Sequence, residues 1–99
     1  MSAYVIGNES IHDPEGFGKY AQAAGPTVVQ YGGKLLAAGP QVEVLEGEPN
    51  PVTVIMEFES VEAAKRWYNS PEYQAVVGLR HAAATGWLII AEEFVPPQG

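Results

Sequence analysis

Arg80 is the residue whose placement most invites chemistry. At helical spacing it shares a face with Tyr73, Val76 and Val77, and a guanidinium among apolar neighbours needs a carboxylate partner or an anionic ligand. Glu46 and Glu57 are the carboxylates expected to reach it. Two readings stand side by side: an Arg–Glu tie between helix and sheet, or an anion-binding group in which the carboxylate positions Arg80 and a ligand completes its hydrogen bonds. Tyr20, Trp67 and Tyr73 sit at helical spacing on inner faces, where they pack as core aromatics or also line a pocket. The candidate pocket set is therefore Tyr20, Glu46, Glu57, Trp67, Tyr73 and Arg80. Proton transfer would fall to His12, His81 or Tyr20, histidine being the side chain that titrates near neutrality. Each histidine also has a plainer role, His12 in a surface link and His81 at a helix end, where a cation suits the dipole.

Other chemistries find no support. The two histidines lack the i, i+4 spacing of a paired metal motif, and the chain has no cysteine, so neither a metal nor another cofactor is expected. Gly32-Gly33 closes a helix instead of opening one, the wrong polarity for a phosphate cradle, and there is no Gly-x-Ser-x-Gly elbow. Twelve acidic against five basic residues give a net charge of −7. The basic residues are scattered, which argues against nucleic acid and against an anionic membrane surface. The first residues lack the features of a signal peptide, and no apolar run approaches the ~20 residues of a membrane span. A cytoplasmic protein is expected.

The elements that must position these groups follow from patterning. Ala3 to Ser10 reads as a first strand. Asp13-Pro14-Glu15 starts a helix with a side-chain cap, a tolerated proline and an acidic first turn, and Phe17, Tyr20, Ala21, Ala24 and Val28 mark its buried face. Gly25-Pro26 should kink this helix and Tyr31-Gly32-Gly33 should end it. Lys34 to Gly39 is a second strand, Val42 to Leu45 a short ribbon, and Val52 to Phe58 a third strand with Val52, Val54, Met56 and Phe58 on one side. Ser60 caps a helix with Val61, Ala64, Trp67 and Tyr68 inside, and Glu62 is placed to pair with Arg66. Ser70-Pro71-Glu72 restarts the helix toward Arg80. Gly86 to Phe94 is nearly continuous in apolar residues and should be central or buried on both sides.

This order predicts an α+β chain: a ferredoxin-like split β-α-β domain over residues 1–95, an antiparallel sheet with helices on one face, and a tail at 96–99. With 99 residues and 46% hydrophobic content, the sheet presents apolar side chains on both faces. Tyr4, Ile6, Val54, Met56, Leu88 and Ile90 make pairing with a second copy the expected way to cover the free one.

Several segments resemble the bacterial domain of unknown function family 1330, a branch of the dimeric α+β barrel superfamily. They are Asp13-Pro14-Glu15 with Tyr20, Tyr31-Gly32-Gly33, Glu43-Val44-Leu45-Glu46-Gly47, Glu57-Phe58, and Val61-Glu62-Ala63-Ala64-Lys65 through Trp67-Tyr68-Asn69-Ser70-Pro71-Glu72-Tyr73 to Leu79-Arg80. Gly39-Pro40 and Glu92-Glu93 depart from the family's pattern. The resemblance implies a homodimer whose two sheets form a barrel, with a pocket between sheet and helices, and it implies no particular activity. Superfamily relatives include cofactor-independent monooxygenases, lactone isomerases, haem-dependent peroxidases and ligand-sensing domains. The functional expectations are a cofactor-independent oxygenase or isomerase for a small anionic substrate, a non-catalytic metabolite-binding or sensing dimer, or a structural dimer with a filled pocket.

Overall fold

The computed structural model describes residues 1–97; Gln98 and Gly99, the end of the expected tail, lie outside the described residues. Strand β1 (Ala3–Ile11) leads into α1 (Pro14–Gln30), β2 (Lys34–Gly39) and β3 (Val52–Phe58), then into α2 (Val61–Tyr68), the single turn α3 (Pro71–Gln74), α4 (Val77–Ala83) and β4 (Ala84–Glu92). The four strands form one antiparallel sheet in the order β2-β3-β1-β4. Helices cover one face only.

Local chemistry accounts for the helix boundaries. Asp13 accepts the Gly16 N–H, Ser60 accepts the Ala63 N–H, and Ser70 accepts the Tyr73 N–H, each satisfying a donor that the first turn leaves unpaired. Helix α1 continues as one element through Gly25-Pro26. Gln22 and Pro26 are both exposed, so the carbonyl that proline leaves without a donor faces water. The helix ends where Gly32 takes a φ of +81°, which lets the Gly33 N–H reach the Val28 carbonyl at 2.8 Å.

Strand parity sorts the sheet into two surfaces. Ala3, Val5, Gly7 and Glu9 of β1 align with Phe58, Met56, Val54 and Val52 of β3 and with Glu92, Ile90, Leu88 and Gly86 of β4, facing the helices. There Val5, Met56 and Phe58 join Trp67, Tyr73, Ala64, Ala24 and Val28 in the core. On the opposite surface Tyr4 and Ile6 align with Ile55, Ile89 and Ala91. Trp87 and Ile89 there are 47% and 48% exposed. Of the apolar sheet residues expected to bridge both surfaces, Val54, Met56, Leu88 and Ile90 face the helices, and Tyr4 and Ile6 belong to the open side.

Three expectations are corrected. Strand β4 lies at the sheet edge, and its apolar content is left partly in water instead of being buried on both sides. Residues Val42–Leu45 form no strand and pair with none of the four strands, and Leu45 is 92% exposed. Glu62 and Arg66 do not pair. Among the described residues the ion pairs are Lys19–Glu15 and Arg80–Glu9, and two exposed helix side chains gain too little from pairing to hold one geometry.

Candidate functional site

Helix α1 packs mainly against α4 and stands off the sheet. The space it leaves over β2 and β3 is a cavity of about 560 Å³ lined chiefly by apolar side chains, among them Phe17, Val28, Met56, Trp67 and Leu88. That volume lies within the range of small-molecule pockets, roughly 300–1,000 Å³. Its polar groups are the half-buried Tyr20 and the buried Arg80, with Lys34 at the exposed margin.

Arg80 is only 9% exposed. Its Nη1 donates to Glu9 Oε1 at 2.5 Å, and Glu9, 3% exposed, reaches it from β1. The carboxylate that holds Arg80 is thus neither Glu46, which is exposed in the stretch before β3, nor Glu57, which lies on the open side of the sheet aligned with Tyr4 and Lys34. Parity along β1 carried the signal for Glu9: continuing the helix-facing positions from Val5 through Gly7 arrives at it. Burial works against the charge of Arg80, and the Glu9 hydrogen bond, with the neighbouring tyrosines, more than offsets this and raises its pKa. The guanidinium stays charged. Its Nη2 lies 3.4 Å from His81 Nε2, and its Nε, fully buried, has no hydrogen-bond partner.

Tyr20 and Tyr73 join α1 to α3 through a 2.8 Å hydrogen bond between their hydroxyls. Burial, and then the proximity of Tyr73, push the Tyr20 phenol far above its ordinary range. Burial likewise raises Tyr73. Both are neutral phenols at physiological pH, able to donate or accept a hydrogen bond but not to act as phenolate bases. Trp67 forms one wall of the cavity. Its Nε1 donates to Thr27 Oγ1 at 3.0 Å, and that hydroxyl donates to the Ala24 carbonyl at 2.6 Å, so the indole is fixed with its polar atom satisfied. The ring lies 4.2 Å from Tyr73 and 5.5 Å from Phe58, centroid to centroid.

The structure therefore gathers Tyr20, Trp67 and Arg80 at the cavity, with Tyr73 directly behind them, and leaves Glu46 and Glu57 outside. His12 and His81 are exposed; neither lines the cavity, though His81 approaches Arg80 from the solvent side. Among the described residues no cluster of three or more His, Asp or Glu side chains is placed to hold a metal ion, and no helix is long and apolar enough to cross a membrane.

The fold recurs in solved structures. A protein of unknown function from Rhodopseudomonas palustris is 23% identical, with 96% of this chain and 84% of that chain covered at a TM-score of 0.74. SnoaB, a cofactor-independent oxygenase from Streptomyces nogalater, is 13% identical, with 99% and 95% covered and a TM-score of 0.68. A dimeric ferredoxin-like protein of unknown function from Thermobifida fusca is 12% identical, with 91% and 89% covered and a TM-score of 0.65. A search of curated proteins gave no match. These likenesses establish the ferredoxin-like α+β architecture. The model of the domain of unknown function DUF1330 matches residues 2–94, and the chain belongs to that family.

Proposed function

We propose that this protein binds a small, largely apolar molecule carrying an anionic oxygen group, with the apolar body in the cavity under α1 and the anionic group at Arg80. The observation that carries this reading is a buried, charged arginine at the wall of a chiefly apolar cavity. A charge beside apolar side chains is costly unless hydrogen-bonded, and a ligand oxygen would add to the single carboxylate bond that Glu9 supplies. Glu9 would then hold the guanidinium in place, and Tyr20 would offer a second hydrogen bond. The protein would work in the cytoplasm as a homodimer joined through the open sheet surface.

The test must separate binding from a purely structural tie. Arg80→Met alone strands Glu9 in the interior and should cost about 3–5 kcal/mol of stability. The double variant Glu9→Gln/Arg80→Met removes both charges and should stay folded. Titrated calorimetrically with a small alkyl or aryl carboxylate, the double variant should lose about 2–5 kcal/mol of affinity relative to the wild type. Equal affinity in the two proteins would reduce Glu9–Arg80 to a link between β1 and α4.

A catalytic reading draws on the fold shared with SnoaB, described as a cofactor-independent oxygenase. In an oxygenase or isomerase at this cavity, Arg80 would orient an enolate or carboxylate and Tyr20 would donate a hydrogen bond to it. Because Tyr20 is held neutral, it would not serve as the base.

A further inference from the structure

A second cavity of about 360 Å³ lies under α2, lined by Val5, Ala64, Trp67, Tyr68, Leu88, Ile89 and Ile90. It holds no charged side chain. Trp67 and Leu88 line both this cavity and the larger one, so these two residues form the wall between them.

The two halves of that wall differ in freedom. Trp67 is fixed by its hydrogen bond to Thr27 and by aromatic neighbours on two sides. Leu88 is only half buried, packs against the rim of the core, and belongs to a strand at the sheet edge. Directly opposite it in β1 is Gly7. A β-carbon at Gly7 would lie 3.0 Å from Leu88 Cδ1 and 4.0 Å from Val54 Cβ. The leucine therefore reaches across the central strand into the space that a side chain at position 7 would fill. Glycine inside a strand weakens it and marks a close approach over the backbone. Here the approaching group is a single leucine, and leucine moves between staggered rotamers without disturbing the sheet.

We infer that the two cavities are compartments of one site, and that Leu88, lying over Gly7, sets the length of apolar ligand the protein accepts. The first compartment, with Arg80 at its wall, would take the head and first part of the body. The second, apolar throughout, would take the far end of a longer chain once Leu88 turns aside. The choice of ligand rests on the anion-binding reading given above; the role of Leu88 does not.

The experiment is a calorimetric titration of the wild type and Leu88→Ala with octanoate, dodecanoate and hexadecanoate, and with the alcohols of the same lengths. Each methylene that enters an apolar compartment should tighten binding about fourfold. In the wild type that gain should stop once the first compartment is full. In Leu88→Ala it should continue, so that the preference for hexadecanoate over octanoate rises at least about tenfold above that of the wild type. Leu88→Val, which keeps a strand-forming side chain, should fall between them if the alanine variant proves poorly folded by circular dichroism. Adding Gly7→Ala to Leu88→Ala should refill the passage and restore the wild-type limit. Identical length profiles in wild type and Leu88 variants would overturn the inference. Alcohols that show the Leu88-dependent limit without any carboxylate binding would overturn the anionic ligand and uphold the two-compartment site. If neither series binds any of these proteins, both readings fall.

Discussion

Trp67 concentrates the packing of the helical layer in one side chain. It is 1% exposed, contacts Phe58, Tyr68 and Tyr73, and carries its only polar atom into a short relay through Thr27 to the Ala24 carbonyl. Trp67→Ala would remove those contacts and open the larger cavity into the smaller one, leaving a void that the α2 backbone cannot collapse to fill. The expected loss is roughly 3–5 kcal/mol, measured by chemical denaturation, and a loss below about 1 kcal/mol would show that the indole bears little of the packing. Arg80 illustrates a different arithmetic. Its partner, Glu9, contributes more by being present than the pair contributes in total, because either charge left alone in the interior is worse than neither.

Among the elements, α1 and α3 are joined by the Tyr20–Tyr73 hydrogen bond, and this joint responds to alkali. Both phenols have folded pKa values above the unfolded tyrosine value of about 10. Above that pH the unfolded chain releases protons that the folded chain retains, so stability is fully present below pH about 10 and falls as the pH rises beyond it. Denaturation midpoints between neutral and strongly alkaline pH should show this decline, and Tyr20→Phe/Tyr73→Phe should flatten it; an unchanged slope in the double variant would place the alkali sensitivity elsewhere.

Element boundaries were the most legible part of the sequence because caps act locally. Asp13, Ser60 and Ser70 each bond a backbone N–H three residues on, and that information lies within one turn. Tyr20, Tyr73, Trp67 and Arg80 could be placed on inner faces for the same reason. What the pattern left hidden depends on contacts between distant segments. Glu9 and Arg80 are 71 residues apart; nothing near either names the other, and only the register of β1 turns Glu9 toward the helices. The edge position of β4 was equally hidden, since hydrophobic content reports how much apolar surface a strand carries and not whether this chain or another covers it. Val42 to Leu45 alternates like a strand but finds no partner strand within its own chain.

At the scale of the whole molecule, one sheet surface has no cover. The chain measures 51 × 36 × 16 Å along its principal axes, a slab with Tyr4, Ile6, Ile55, Trp87 and Ile89 on the side away from the helices. A second copy placed sheet to sheet would bury this surface, and stable dimers of this kind commonly bury upwards of about 2,000 Å² in total. Sedimentation at micromolar concentration should give the dimer mass, and Ile89→Lys should shift it toward monomer while far-ultraviolet circular dichroism stays that of a folded chain. A wild-type protein that sediments only as monomer would sink the dimer.

The central position of β1 has a consequence for how the molecule is made. This strand leaves the ribosome first of the four, yet both of its hydrogen-bonding partners come later, β3 at Val52–Phe58 and β4 at Ala84–Glu92. Synthesis proceeds at roughly 5–20 residues per second, so β1 waits seconds with both edges bare. Its polar side chains Asn8, Glu9 and Ser10 are gathered at the end that leads into α1. Their later burial, Asn8 against Asn50 and Thr53 and Glu9 against Arg80, comes only when the rest of the sheet arrives.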